Sequence, residues 1–302
     1  MATISTVASI FLLLLAGYGA KRFGILKVGD VRPVNTIIIY LTMPAFIFIN
    51  THNKPLTSAM VKAPVLGIVM EMVVMCAAYA LARGLKLNRT TTGGLMLAAV
   101  FGNTGFLGYP MVAAAFPHNN HALLTAVMFD EFAMSMVLCS IGVAVATSFS
   151  GKCFSWSSLL EFLKVPLFPA TVIALIFRTL YVPPTILKTL NFLAAGTVPL
   201  AMISIGLSLS AGSIKKYPKA LGACFILKMI ALPALMFFTL PLLGVTGTIK
   251  QVVVLESAVP PAVFAGVVAS RYGGDDEFVA GAIFVMTLLS VITMPIVLML
   301  MK

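Results

Sequence analysis

The sequence predicts an all-α polytopic membrane protein, with ten transmembrane helices arranged as two inverted five-helix repeats and one broken crossover helix in each repeat. Three observations predict it. The 302 residues are 60% hydrophobic and 10% charged, with a mean hydropathy of +1.08, whereas a soluble domain carries about 25% charged residues. The apolar residues fall into ten stretches of about 20 residues, the length that crosses a bilayer core. Two of those stretches, the fourth in each half, are interrupted near their middles by Gly and Pro.

The first stretch, near 4–23, has no basic region before it and no small-residue cleavage site after it, so it reads as a retained helix rather than a removed signal peptide. The second, near 32–50, carries Thr42-Met43-Pro44, and the third, near 60–82, holds the acid Glu71. The fourth, near 93–116, contains Gly102-Asn103-Thr104-Gly105 and runs on to Pro110. The fifth, near 122–147, carries Asp130-Glu131, and a polar interval from Thr147 to Ser158 follows it. That interval divides the chain into repeats 1–149 and 150–302. The sixth stretch lies near 158–181. The seventh, near 187–210, has Thr197-Val198-Pro199 where the second has Thr42-Met43-Pro44. The eighth, near 219–243, contains Lys228, the ninth, near 248–270, contains Glu256-Ser257-Ala258-Val259-Pro260-Pro261, and the tenth lies near 277–301. The connections are short and leave no room for a soluble domain.

Loop charges set the orientation. Lys21, Arg22, Lys27, Arg32, Arg83, Lys86, Arg89, Lys152, Lys164, Lys215, Lys216, Lys219 and Arg271 fall in or beside odd-numbered loops, 13 of the 20 basic residues. Lys54, Lys62, Arg178, Lys188, Lys250 and Lys302 fall on the other side. Cytoplasmic loops carry the Lys/Arg excess, so the odd loops are expected in the cytoplasm and both termini outside. Five spans per half then invert the second half relative to the first. The net charge of +11 follows from this bias, since no basic stripe or RNA motif accompanies it, and no nucleic-acid partner is expected.

The two breaks carry the functional expectation. Lipid cannot satisfy freed backbone groups, so an unwound segment must face protein or a water-filled cavity. Paired Gly/Pro-interrupted spans in corresponding positions point to a transporter's binding site. The Asn103 amide can donate to a carboxylate oxygen or accept from a coordinating partner, and the helix restarting near Thr104 and Gly105 turns a positive dipole end inward. Alternatively Asn103 satisfies carbonyls freed by the break and Pro110 is a plain kink. Glu256 precedes two consecutive prolines, which cannot continue a regular helix. A carboxylate there must be paired, hydrated or protonated. It is either a proton or cation carrier or a structural partner of Lys228, the Lys placed deep in a span. Glu71, Asp130 and Glu131 are the other acids within spans. Neighbouring helical residues point about 100° apart, so Asp130 and Glu131 cannot both face one narrow site.

Other motifs are weak. Cys76, Cys139, Cys153 and Cys224 form no C-x-x-C pair, and three lie within apolar stretches, which suits core residues rather than a disulfide framework. His118 and His121 are three apart but lack an acidic or Cys partner, so a solvated turn is expected and no metal site. No Gly-x-Ser-x-Gly, His-Glu-x-x-His or P-loop pattern is present, and neither a catalytic role nor a cofactor is expected.

These residues resemble the auxin efflux carrier family, which spans plant auxin exporters and prokaryotic carriers of organic acids. The resemblance rests on Gly17-Tyr18-Gly19-Ala20-Lys21-Arg22, the Pro44 segment, Asn103-Thr104 with Gly108 and Pro110, and Glu256 through Pro261 with Tyr272 beyond. It implies a scaffold from spans 1, 2, 6 and 7, a transport domain from spans 3–5 and 8–10 moving like an elevator, and a homodimer through the scaffold. It further implies substrate held at the crossing by Asn103, Thr104, Gly105, Pro110, Ser257, Pro260 and Pro261. The chain departs from the plant proteins in its short central linker and in the acidic Glu256. It is therefore expected to be a prokaryotic plasma (inner) membrane carrier of small carboxylates such as malate, malonate or lactate, rather than of auxin. A coupling ion, proton or sodium, is left open. A sodium-coupled symporter or a cation/proton antiporter on the same scaffold is the alternative, with a channel or a non-transporting receptor further off.

Overall fold

A computed structural model describes residues 2–117, 119, 121–150, 166–209, 214–272 and 274–301. His118, Lys152, Cys153, Lys164, Lys302 and the beginning of the sixth expected span lie outside the described residues. The described residues form helices without strands, apart from one isolated antiparallel bridge between Gly102 and Pro261. Among the described residues, six helices are long and apolar enough to cross a membrane: α2 (Val28–Thr51), α3 (Ser58–Gly84), α6 (Ala122–Ser150), α8 (Pro184–Ser208), α9 (Pro218–Leu243) and α12 (Asp276–Leu300). Around them lie α1 (Ala2–Arg22), α4 (Arg89–Val100), α5 (Tyr109–Ala115), α7 (Leu167–Ile176), α10 (Gly247–Ser257) and α11 (Val263–Tyr272).

The chain divides into two compact units. The first comprises Met1–Thr57, Gly105–Val127 and Leu163–Leu209, and the second Ser58–Thr104, Met128–Phe162 and Ser210–Lys302.

In the first unit α1 lies against the Thr197–Ser208 half of α8 at backbone contact. A Cβ on Gly17 would stand 2.3 Å from the Ile203 carbonyl oxygen, and one on Gly206 2.1 Å from that of Leu14. Small residues that let two backbones touch are the usual basis of helix association in lipid, where no hydrophobic force drives it. The Thr-x-Pro motifs start two helical segments of this unit. Pro44 sits in the first turn after a π-helical stretch, Ile38–Thr42, and Thr197 follows the bend at Gly196. Thr42 and Thr197 are both buried.

In the second unit α3 runs beside α4, and α4 is enclosed by the last turns of α6 and by α12. Glycines again set the distance, Gly93 against the Phe149 side chain and Gly94 against Phe278. Two capped helix starts fix the register. Asn88 accepts from the Thr91 amide at α4, and Asp275 accepts from the Phe278 amide at α12. Asp275 also accepts from the Thr91 hydroxyl at 2.5 Å and the Tyr217 hydroxyl at 3.1 Å, so one carboxylate joins the starts of α4, α9 and α12.

Candidate functional site

Both expected breaks are present, and they pair with each other inside the second unit. Helix α4 stops at Val100 because Phe101 turns extended, with φ −84° and ψ 119°. Helix α10 stops at Ser257, and the prolines at 260 and 261 cannot extend it. The extended pieces then bond as strands do. The Asn103 amide donates to the Pro260 carbonyl at 2.8 Å, and the Ala262 amide donates to the Phe101 carbonyl at 2.9 Å. Two donors and two acceptors that a helix would have satisfied are thus satisfied across the break, as burial in a membrane protein demands.

Gly102 lies between the two bonds, where a side chain would crowd its neighbours. A Cβ there would stand 2.8 Å from both Lys228 Nζ and Val259 Cγ2. Lys228, wholly buried and carried by the π-helical stretch Phe225–Ala231 of α9, donates to the carbonyls of Val100 at 3.2 Å and Ser257 at 3.1 Å. These are the last residues of α4 and α10, where helix carbonyls lack intrahelical partners and carry partial negative charge.

Thr104, almost fully buried, donates its hydroxyl to Asp130 Oδ1 at 2.5 Å, and Ser135 donates to the same oxygen at 3.3 Å. Asp130 and Glu131 begin a π-helical stretch of α6, Asp130–Ser135, and both are buried. Glu71 on α3 and Glu256 on α10 are also wholly buried, and neither oxygen of either carboxylate has a hydrogen-bond partner. Glu71 and Glu256 both interact through space with Lys228 and with Asp130. A direct hydrogen bond between Glu256 and Lys228 is not formed, since the ammonium turns to backbone carbonyls instead.

Of the residues singled out from the sequence, Asn103, Thr104, Ser257, Pro260, Pro261, Glu256, Glu71, Asp130, Glu131 and Lys228 all lie in the second unit. Gly105 and Pro110 belong to the first unit, which the chain enters at Gly105. Pro110 follows a π-helical turn, Thr104–Gly108, that runs directly into α5 with Gly108 already helical (φ −63°, ψ −52°), so it stands inside the helix that restarts at Thr104. The Ser257 hydroxyl is spent on the Val254 carbonyl of its own helix at 2.7 Å. Sequence reasoning did not single out Val100 and Phe101, whose carbonyls complete the site, nor Ser135. A signal for Gly102 was available, as a small residue beside a break, but its partner Lys228 is 126 positions away.

Residues 2–298 match the model of the "Membrane transport protein" family, in two segments, residues 2–155 and 152–298. It is 33% identical to an uncharacterized transporter of Methanocaldococcus jannaschii, over 97% of this chain and 96% of that one. An uncharacterized transporter of Methanothermobacter thermautotrophicus is 29% identical over 98% and 97%. A Rhizobium meliloti protein named "Putative malonate transporter" is 25% identical over 86% of this chain and 83% of its own.

Proposed function

The chain belongs to the membrane transport protein family, that of the auxin efflux carriers, and on that premise we propose that it is a secondary active carrier of small organic anions working by elevator-type alternating access. It is an integral membrane protein with a small-molecule substrate, and family membership implies transport rather than catalysis. The observation that carries the finer reading is the paired break, Phe101–Asn103 against Pro260–Ala262. Extended backbone in the middle of apolar spans, lined by buried polar groups, is the architecture that binds solutes in secondary transporters.

In this reading the Asn103 side-chain amide holds a substrate carboxylate, with Thr104, Ser257, Pro260 and Pro261 shaping the place around it. The substrate class is malonate, malate or lactate, with auxin-like carboxylates as the bulkier extreme. The malonate in the name of the Rhizobium relative supports that choice. The ten-span inverted repeat, with both termini outside the plasma (inner) membrane, is supported by the loop charges and by the matched breaks. The first unit serves as scaffold, and as the surface of a homodimer, and the second as moving domain. The division of the chain supports this for spans 1, 2 and 7 and for spans 3 and 8–10, while Gly105–Val127, expected in the moving domain, falls in the first unit.

A second reading, a sodium-coupled symporter or cation/proton antiporter, is favoured by the unpartnered buried carboxylates of Glu71 and Glu256. Those two, with Asp130 and Glu131, are the candidates to carry a coupling proton or cation. The test is counterflow of labelled malonate, malate and lactate in proteoliposomes under imposed pH and sodium gradients. Asn103→Ala should lose most of the flux. Uptake by Asn103→Ala at the parent's affinity and rate would remove Asn103 from the site.

A further inference from the structure

Two half-helices of the second unit, α4 and α10, end within reach of one ammonium group. Lys228 Nζ donates to Val100 O at 3.2 Å and Ser257 O at 3.1 Å, the final carbonyl of each. Lysine is a compact point charge with three donors, so it fits between converging carbonyls as a small ion would. Its surroundings are built for a cation. Glu71 and Glu256 are wholly buried, lack hydrogen-bond partners and act on Lys228 through space. Gly102 leaves space beside Nζ that no Cβ could share. A neutral donor could have satisfied two carbonyls at far lower desolvation cost. In broken-helix transporters the same groups, half-helix C-terminal ends and unwound carbonyls, coordinate sodium.

We infer that Lys228 is a tethered cation standing where a mobile sodium ion would bind, so that the protein works without sodium and loss of the ammonium turns the crossing into a sodium site. This deepens the carrier reading by choosing between its coupling ions, and rests on that reading only for flux. A lysine that merely holds the fold together would leave every form indifferent to sodium.

The test is thermal unfolding of the purified full chain in detergent, in sodium chloride against choline chloride at equal ionic strength. The parent should melt at the same temperature in both. Lys228→Ala should melt lower in choline and rise by several degrees, saturably, with sodium. Sodium stabilisation of the parent over choline would overturn the inference. So would a folded Lys228→Ala that ignores sodium, or one that folds in neither salt, since the free ion should take over the same carbonyls. In proteoliposomes, organic-acid flux should be sodium-independent for the parent and sodium-dependent for Lys228→Ala. Absence of flux from both, with the melting results as expected, would count against the carrier reading and leave the cation site standing.

Discussion

Replacing Gly102 by Ala tests the crossing most sharply, because two effects of opposite sign meet there. Among the described residues the glycines with positive φ are Gly24, Gly244 and Gly247, and Gly102 is not one of them. An alanine is therefore conformationally acceptable and would ordinarily stabilise by about 0.4–1 kcal/mol through the unfolded chain. Space decides otherwise. The new Cβ would stand 2.8 Å from Lys228 Nζ, 2.8 Å from Val259 Cγ2 and 3.3 Å from Lys228 Cε. Lysine's far end can move, but only by giving up a bond to Val100 or Ser257. A hydrogen bond to a charged group is worth roughly 1.5–3 kcal/mol. Setting the loss of one such bond against the entropic gain leaves Gly102→Ala destabilised by about 1–2 kcal/mol. Thermal or denaturant unfolding of purified protein measures it. The cycle with Lys228→Ala isolates the cause, since Gly102→Ala should cost less once the ammonium is gone, the Val259 contact remaining. An equal cost in both backgrounds, or a stabilised Gly102→Ala, would refute the reasoning.

The other expected outcomes rest on independent parts of the fold. Gly206→Ala places a Cβ 2.1 Å from the Leu14 carbonyl oxygen, which is backbone and cannot yield. It should cost about 3 kcal/mol or more, seen as loss of monodisperse protein on size exclusion. Asp275→Ala removes the α12 cap together with the acceptor for Thr91 and Tyr217, and should lower stability by about 2 kcal/mol. Asp275→Asn keeps an acceptor and should recover more than half of that in the same melt. Thr104→Val deletes the hydroxyl held by Asp130 while keeping the shape. Organic-acid flux should fall and stability should drop by roughly 1.5–3 kcal/mol, and a wild-type transport rate would show that this bond does not matter for transport.

The all-helical membrane class was legible because composition and span length are properties of the chain alone. The places where helices stop were legible for the same reason. Pro260 and Pro261 forbid a helix locally, whatever lies beside them. The pairing of Phe101 and Asn103 with Ala262 and Pro260 was not legible. It joins segments about 160 positions apart, and strand-like pairing leaves no periodic signature when it is two bonds long. The sequence framed Lys228 as a question about Glu256, because charge attracts charge on paper. The structure answers with backbone carbonyls, which carry no letter in a sequence.

The two breaks solve one problem in two ways, and the division explains why neither alone would serve. Unwinding α4 and α10 frees amides on the far side of each break and carbonyls on the near side. Pairing the extended pieces satisfies amides at Asn103 and Ala262 with carbonyls at Pro260 and Phe101. The helix-end carbonyls of Val100 and Ser257 take their donor from a third helix, and a charged donor matches the dipole ends as well as their lone pairs. Lys228 on α9 supplies it, and its charge in turn makes the buried Glu71 and Glu256 less costly to keep. Removing any one of Gly102, Lys228 or the proline pair therefore disturbs the other two. Stability measurements on this set should be non-additive, with coupling strongest between Gly102 and Lys228, the two that the structure brings nearest.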